Sequence, residues 1–137
     1  MKTINATKGE LVELTNALFA VQDLEGKEFA LIVSKNIRNL QKCLKDVEES
    51  SKPSPEFMEI AKEINDIANK NPENAKEQID RIEEDNLELV NQRRTQVAET
   101  AEKLKEEASV EIKYLTEEML PEDITAKQLK GLLKIID

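Results

Sequence analysis

The stretch PENAKEQIDRIEEDNLELVNQRRTQVAETAEKLKEEA, Pro72 to Ala108, decides how this chain is read. It contains no Gly and no Pro after its first residue, and Glu, Lys, Gln and Ala dominate it. These are strong helix formers. Asn71-Pro72 opens it with a proline in the first turn, where no helical partner awaits the missing N–H. Ala75, Ile79, Ile82, Asn86, Leu89, Arg93, Val97, Ala101, Leu104 and Ala108 recur along one stripe. The spacing predicts a single helix over about 72–108, about 55 Å long at 1.5 Å per residue. Such a rod outruns a compact domain of 137 residues, so it lies against other long helices or reaches a partner. Asn86 and Arg93 make the middle of the stripe polar. An Asn at that place either sets register in a buried seam or marks an exposed stretch.

Upstream, Thr7-Lys8-Gly9-Glu10 has the form of a capping box. Leu11, Leu14, Leu18 and Val21 follow at helical spacing, predicting a helix from about Lys8 to Asp23 that Gly26 breaks. A second helix from about Lys27 to Ser50 carries Phe29, Val33, Ile37, Leu40, Leu44 and Val47 on a near-heptad seam. The two are read as a helical hairpin over 1–50. Ser51-Lys52-Pro53-Ser54-Pro55 is the clearest break, with Ser54 as N-cap and Pro55 at the first helical position. A third helix then presents Phe57, Ile60, Ile64 and Ile67. With the long fourth helix it forms a two-helix arm over 55–108.

The period changes at Ser109-Val110-Glu111-Ile112-Lys113-Tyr114-Leu115, where Val110, Ile112 and Tyr114 alternate with polar residues as in a strand. Residues 2–5 alternate too, so a two-stranded sheet is expected between about 2–5 and 110–115. Helices must cover one face of it, because two strands alone are marginal. Thr125 caps a last helix with Leu129, Leu132, Leu133 and Ile136. The expected fold is therefore mostly α: a helical bundle in one domain, with one extended helix and a small sheet.

Composition narrows the function. Charged residues are 36%, aromatics 3%, and the formal net charge is −9. The twenty Lys and Arg are interspersed with acids, which argues against nucleic-acid binding. No run approaches the 18 apolar residues of a membrane span. Met1-Lys2-Thr3-Ile4-Asn5 leads into a polar helix start, which is unlike a signal peptide. The single cysteine, Cys43, fits a reducing compartment, and a cytoplasmic protein is expected. Histidine is absent, which removes Ser-His and Cys-His catalysis and the commonest metal ligand. Glu83-Glu84-Asp85 and Glu117-Glu118 lack the dry pocket that acid–base work requires. No enzyme activity, cofactor or metal is expected.

Two groups of residues invite binding. Arg93-Arg94 offers bidentate recognition of phosphate or carboxylate, and Arg93 sits on the apolar stripe. Either an anion pocket forms in an oligomer core, or Arg93 makes a salt bridge with Glu88, Glu99 or a partner chain. Lys35, Asn36 and Arg38 form a second polar cluster, read as a solvated face with Asn36 hydrogen-bonded to a loop. Tyr114 is expected as a strand residue packed on a helix, or as a platform for a base.

Lys35-Asn36-Ile37-Arg38-Asn39-Leu40, leading to Asp46-Val47-Glu48-Glu49, resembles a helix in small tailed-phage proteins of unknown function. Val110-Glu111-Ile112, Leu120 through Thr125, and Leu129, Leu132, Leu133 with Ile135-Ile136 fit the same pattern. The resemblance covers about residues 1–50 and 109–137, and the central helices depart from it. It implies a phage origin and no particular activity. The leading expectation is an interaction protein, a homodimer or higher, that binds or inhibits a host protein, including one of host defence. Its intermolecular seam is expected at Ile79, Ile82, Asn86, Leu89, Val97 and Leu104. The alternatives are an oligomer that sequesters a small anionic, nucleotide-like ligand, and a virion assembly or scaffold component.

Overall fold

Thr7 marks the first change of conformation in the computed structural model, which describes all 137 residues. Strand β1 (Lys2–Thr7) ends on it and helix α1 (Lys8–Val21) begins after it. The expected capping box forms: Thr7 Oγ1 accepts the Glu10 amide at 3.1 Å, and Glu10 Oε1 accepts the Thr7 amide at 3.2 Å. Gly26, at φ 133°, supplies the backbone conformation that turns the chain into α2 (Lys27–Cys43). The expected helix to Ser50 is interrupted at Leu44 (φ −98°, ψ 11°), and α3 (Lys45–Ser51) follows.

Three further helices come next: α4 (Pro55–Lys70), α5 (Ala75–Asp85) and α6 (Leu87–Leu104). Strand β2 (Glu107–Ile112), a 3-10 turn at Glu117–Met119, α7 (Ala126–Leu132) and a second 3-10 turn at Leu133–Ile135 complete the chain. The fold is mostly α, with one small sheet. It divides into two units: residues 1–48 with 102–137, and an insert of residues 49–101.

The first unit holds the core. Leu11, Leu14, Leu18 and Val21 of α1 meet Phe29, Ile32, Val33, Ile37 and Leu40 of α2, with Leu132 from α7 and Ile135 from the turn after it. Each such side chain contributes about 1.5–3 kcal/mol of burial. The sheet is antiparallel, with Lys2 opposite Ile112, Ile4 opposite Val110 and Ala6 opposite Ala108. Period-two alternation turns Ile4, Ala6, Ala108, Val110 and Ile112 toward the core and leaves Thr3, Asn5, Ser109 and Glu111 exposed. Helices α1 and α7 cross at Gly131, where a Cβ would stand 2.8 Å from the Ala17 Cβ. The C-terminus is tied in as well: Leu115 N–H donates to Ile135 O at 2.8 Å, and Asp137 N–H to Leu115 O at 2.7 Å.

The ladder differs from the expected 2–5 with 110–115. It begins at Glu107 and ends at Ile112, so Tyr114 lies beyond the strand. Glu107 and Ala108 are helix formers by propensity, but pairing with Thr7 and Ala6 draws them into the sheet.

The insert begins as expected. Ser54 Oγ accepts the Phe57 amide at 3.2 Å with Pro55 at the helix start. Asn71, in the left-handed region at φ 45°, ends α4. The single helix over 72–108 does not form. It is divided at Asn86, whose backbone leaves helical angles at φ −124°, ψ 33°. Asn86 Nδ2 donates to Ile82 O at 2.8 Å, while its N–H is shared between Ile82 O at 3.1 Å and Glu83 O at 3.3 Å. An Asn side chain competes in this way with the backbone for the i−4 carbonyl. Glu83-Glu84-Asp85 add negative charge at the helix C-terminus, where the dipole disfavours it.

Candidate functional site

In the insert, Ile60 is the one fully buried side chain, at 7% exposure. Helices α5 and α6 contain none. Ile79, Ile82, Asn86 and Leu89, expected in an intermolecular seam, are half-buried. Ile82 shares a small cavity with Ile67 of α4, and Leu89 shares one with Phe57. The chain's own α4 therefore covers part of this stripe, which corrects the expectation that its cover lies wholly outside. Leu104 leaves the seam altogether and packs against the core of the first unit.

A second strip remains open on α6. Leu87 and Val97 are 57% and 52% exposed. With half-buried Val90 and exposed Arg94 and Ala101 they fall at steps of three and four, on one side of the helix. A separate open groove of about 670 Å³ shares only Leu87 with this strip and runs along another side of α6, past Asn91, Thr95 and Glu99. The expected stripe has Val97 on the same line as Leu89. The signal for the separate strip was the spacing 87, 90, 94, 97, 101.

Arg93 and Arg94 are not brought together. Arg93 is half-buried, and its Nη1 donates to Ser51 O at 2.9 Å and Gln96 Oε1 at 2.8 Å. Its guanidinium lies 6.0 Å from the centroid of the Phe57 ring. Gln96 Nε2 in turn donates to Lys52 O. Arg93 thus fastens the end of α3 and the approach to α4 onto α6. A cavity of about 270 Å³ beside it is lined by Lys52, Ser54, Phe57 and Gln92. Its partners are carbonyl oxygens rather than the carboxylates of Glu88 or Glu99. Arg94 is exposed, on the open strip.

The cluster Lys35, Asn36 and Arg38 divides between the two faces of α2. Asn36 is fully buried and pairs with both backbone groups of Lys113. Its Oδ1 accepts the N–H at 2.9 Å, and its Nδ2 donates to the carbonyl at 2.9 Å. Asn39 Nδ2 donates to Glu111 O at 3.1 Å, and Cys43 Sγ lies 3.8 Å from Ser109 O. Side chains spaced 36, 39, 43 thereby meet backbone groups spaced 113, 111, 109. This edge of β2 faces away from β1, and α2 closes it to further strand pairing. Asn36 shares its side of the helix with Val33, Ile37 and Leu40, which was the sequence signal for its inward direction. Lys35 and Arg38 are exposed on the opposite side, in line with Lys42, which sequence reading did not single out.

Ionisable groups with displaced affinities serve the framework. Lys8 Nζ binds Asp46 Oδ2 at 2.7 Å and Glu106 Oε2 at 2.9 Å, with its side chain 13% exposed. The hydrogen bond to Asp46, then that to Glu106, raises the Lys8 pKa, and the same bond from Lys8 lowers that of Asp46. The Thr7 amide, then Lys134, lowers that of Glu10. Half-buried Tyr114 has Lys2 Nζ 4.6 Å from its ring centroid, so its face already carries a cation. No helix is long and apolar enough to cross a membrane. Comparison with family models, with curated proteins and with solved structures finds no match for this chain.

Proposed function

We propose that this chain is a non-catalytic interaction protein that assembles with itself, and that the open strip of α6 is its docking surface. The observation that carries this reading is the contrast within the insert. One side chain is buried there, while Met58, Leu87 and Val97 stand 57%, 57% and 52% exposed. A three-helix insert with so little interior gains from being covered, at about 25 cal/mol per Å² of apolar surface. Apolar residues at steps of three and four, flanked by polar ones, suit a helix lying alongside. A second copy supplies such a helix. The phage-like pattern of the two flanking segments extends the reading to a host protein presenting a similar groove.

Sequestration of an anionic ligand is less favoured. Arg93 already has carbonyl partners, and Arg94 points elsewhere.

Native mass measurement tests the proposal, with the double substitution Leu87→Glu and Val97→Glu as the control. Loss, in the double variant, of the assembly that persists at high salt, with helicity retained, supports it. An unchanged mass distribution overturns it.

A further inference from the structure

Helix α2 has a charge pattern opposite to that of this acidic chain as a whole. Residues 27–43 hold four cations and one carboxylate, Glu28, against a chain net charge of −9. Lys35, Arg38 and Lys42 stand at steps of three and four on its outer side, and all are exposed. Leu31, 52% exposed, extends the same line. Helix α4 carries the opposite pattern. Glu59, Glu63 and Asp66, at steps of four and three, are exposed on its outer side. Lys70 extends that line by four, as Leu31 does on α2. Side chains at such steps occupy one narrow stripe of a helix.

The two stripes are matched in sign and spacing when the helices run antiparallel. Lys35 then meets Asp66, Arg38 meets Glu63, Lys42 meets Glu59, and the aliphatic stem of Lys70 covers Leu31. Antiparallel helices also oppose their macrodipoles favourably. We propose that the basic stripe of α2 receives the acidic stripe of α4 from a second copy of this chain. A two-fold axis makes the contact reciprocal, with each copy giving one stripe of each sign. A polyanion such as nucleic acid fits α2 less well, since the remainder of the surface repels it.

This contact uses residues separate from the open strip of α6, and salt tells the two apart. Six exposed ion pairs, three in each of the two reciprocal contacts, at about a factor of two each make self-association about sixtyfold weaker at high salt. An apolar contact through Leu87 and Val97 does not weaken with salt.

The test uses two full-length triple variants: Lys35→Glu, Arg38→Glu, Lys42→Glu, and Glu59→Lys, Glu63→Lys, Asp66→Lys. Each is followed by sedimentation velocity at 50 and 500 mM NaCl, with circular dichroism to verify folding. Either variant alone is expected to lose the salt-sensitive association, and an equimolar mixture is expected to regain it. Equal association of the wild type at both salt concentrations overturns the proposal, as does a mixture no more associated than its components. Tight binding of the wild type to heparin, abolished by the first variant while association is unchanged, also overturns it.

Discussion

Replacing Asn36 tests how the first unit is closed. Asn36→Ala removes two hydrogen bonds to Lys113 and leaves a backbone N–H and carbonyl unpaired behind α2. Each bond is worth about 1 kcal/mol, and each group stranded away from water costs about 1–3 kcal/mol when fully buried. The Lys113 groups are only partly buried, so the expected loss is about 2–4 kcal/mol. At about 4 °C per kcal/mol for a domain of this size, the midpoint falls by about 8–16 °C.

Asn36→Asp is the sharper variant. It keeps the acceptor for the Lys113 N–H but sets a carboxylate oxygen against the Lys113 carbonyl. Burial and that carbonyl both raise the new group's pKa. Its cost is therefore smallest when the group is protonated and can donate, and it grows as pH rises above the ordinary carboxylate range near 4. Urea unfolding at pH 4 and pH 7 reads this out. The ellipticity at 222 nm follows the whole chain, and the emission of Tyr114, the lone tyrosine, follows the first unit. A loss below about 1 kcal/mol for Asn36→Ala, or a pH-independent loss for Asn36→Asp, refutes the edge-closing role.

Three other outcomes are expected. The folded pKa of Asp46 lies below its usual 3.8, so its bond to Lys8 stabilises the fold above that pH and is lost as pH falls through the lowered value. Thermal midpoints of wild type and Asp46→Asn should differ at pH 7 and converge below about pH 3. Gly131→Ala gains helix propensity but drives a methyl into Ala17, for a net loss of about 1–2 kcal/mol by urea titration, recovered by adding Ala17→Gly. Asn86→Ala removes the competing side chain and lets α5 run into α6, raising the 222 nm signal and stabilising the insert by about 0.5 kcal/mol.

Where a local signal settles the backbone, it is legible in the sequence. Thr7 with Glu10, Ser54 with Pro55, and Thr125 each start a helix where their side chains place the first hydrogen bond. The pairing of the N-terminus with Val110 and Ile112 followed from alternation and from the need of two strands for each other. The breaks at Leu44 and Asn86 were harder to read, because no Gly or Pro marks them. At Asn86 the cause is a side-chain bond to Ile82 O, weighed against a helix-forming context. The early start of β2 is a tertiary effect, since Glu107 and Ala108 favour helix until β1 pairs with them.

The candidate surfaces divide in the same way. Charges and apolar residues could be assigned to helices, but which side met α4 depended on a packing partner that periodicity does not name. The directions of Arg93 and Gln96 depended on Ser51 and Lys52, forty-odd residues away in sequence.

Ser50 Oγ and Thr100 Oγ1 stand 3.3 Å apart at the base of the insert, so the chain departs and returns at nearly the same point. Once those two positions meet, the span between Lys2 and Ile112 is effectively halved for a searching polymer. That lowers the entropy cost of joining the terminal strands by about 0.5 kcal/mol. It also makes residues 49–101 a detachable excursion: a short turn could replace them, or a different pair of helices could be spliced in, without altering the scaffold on either side.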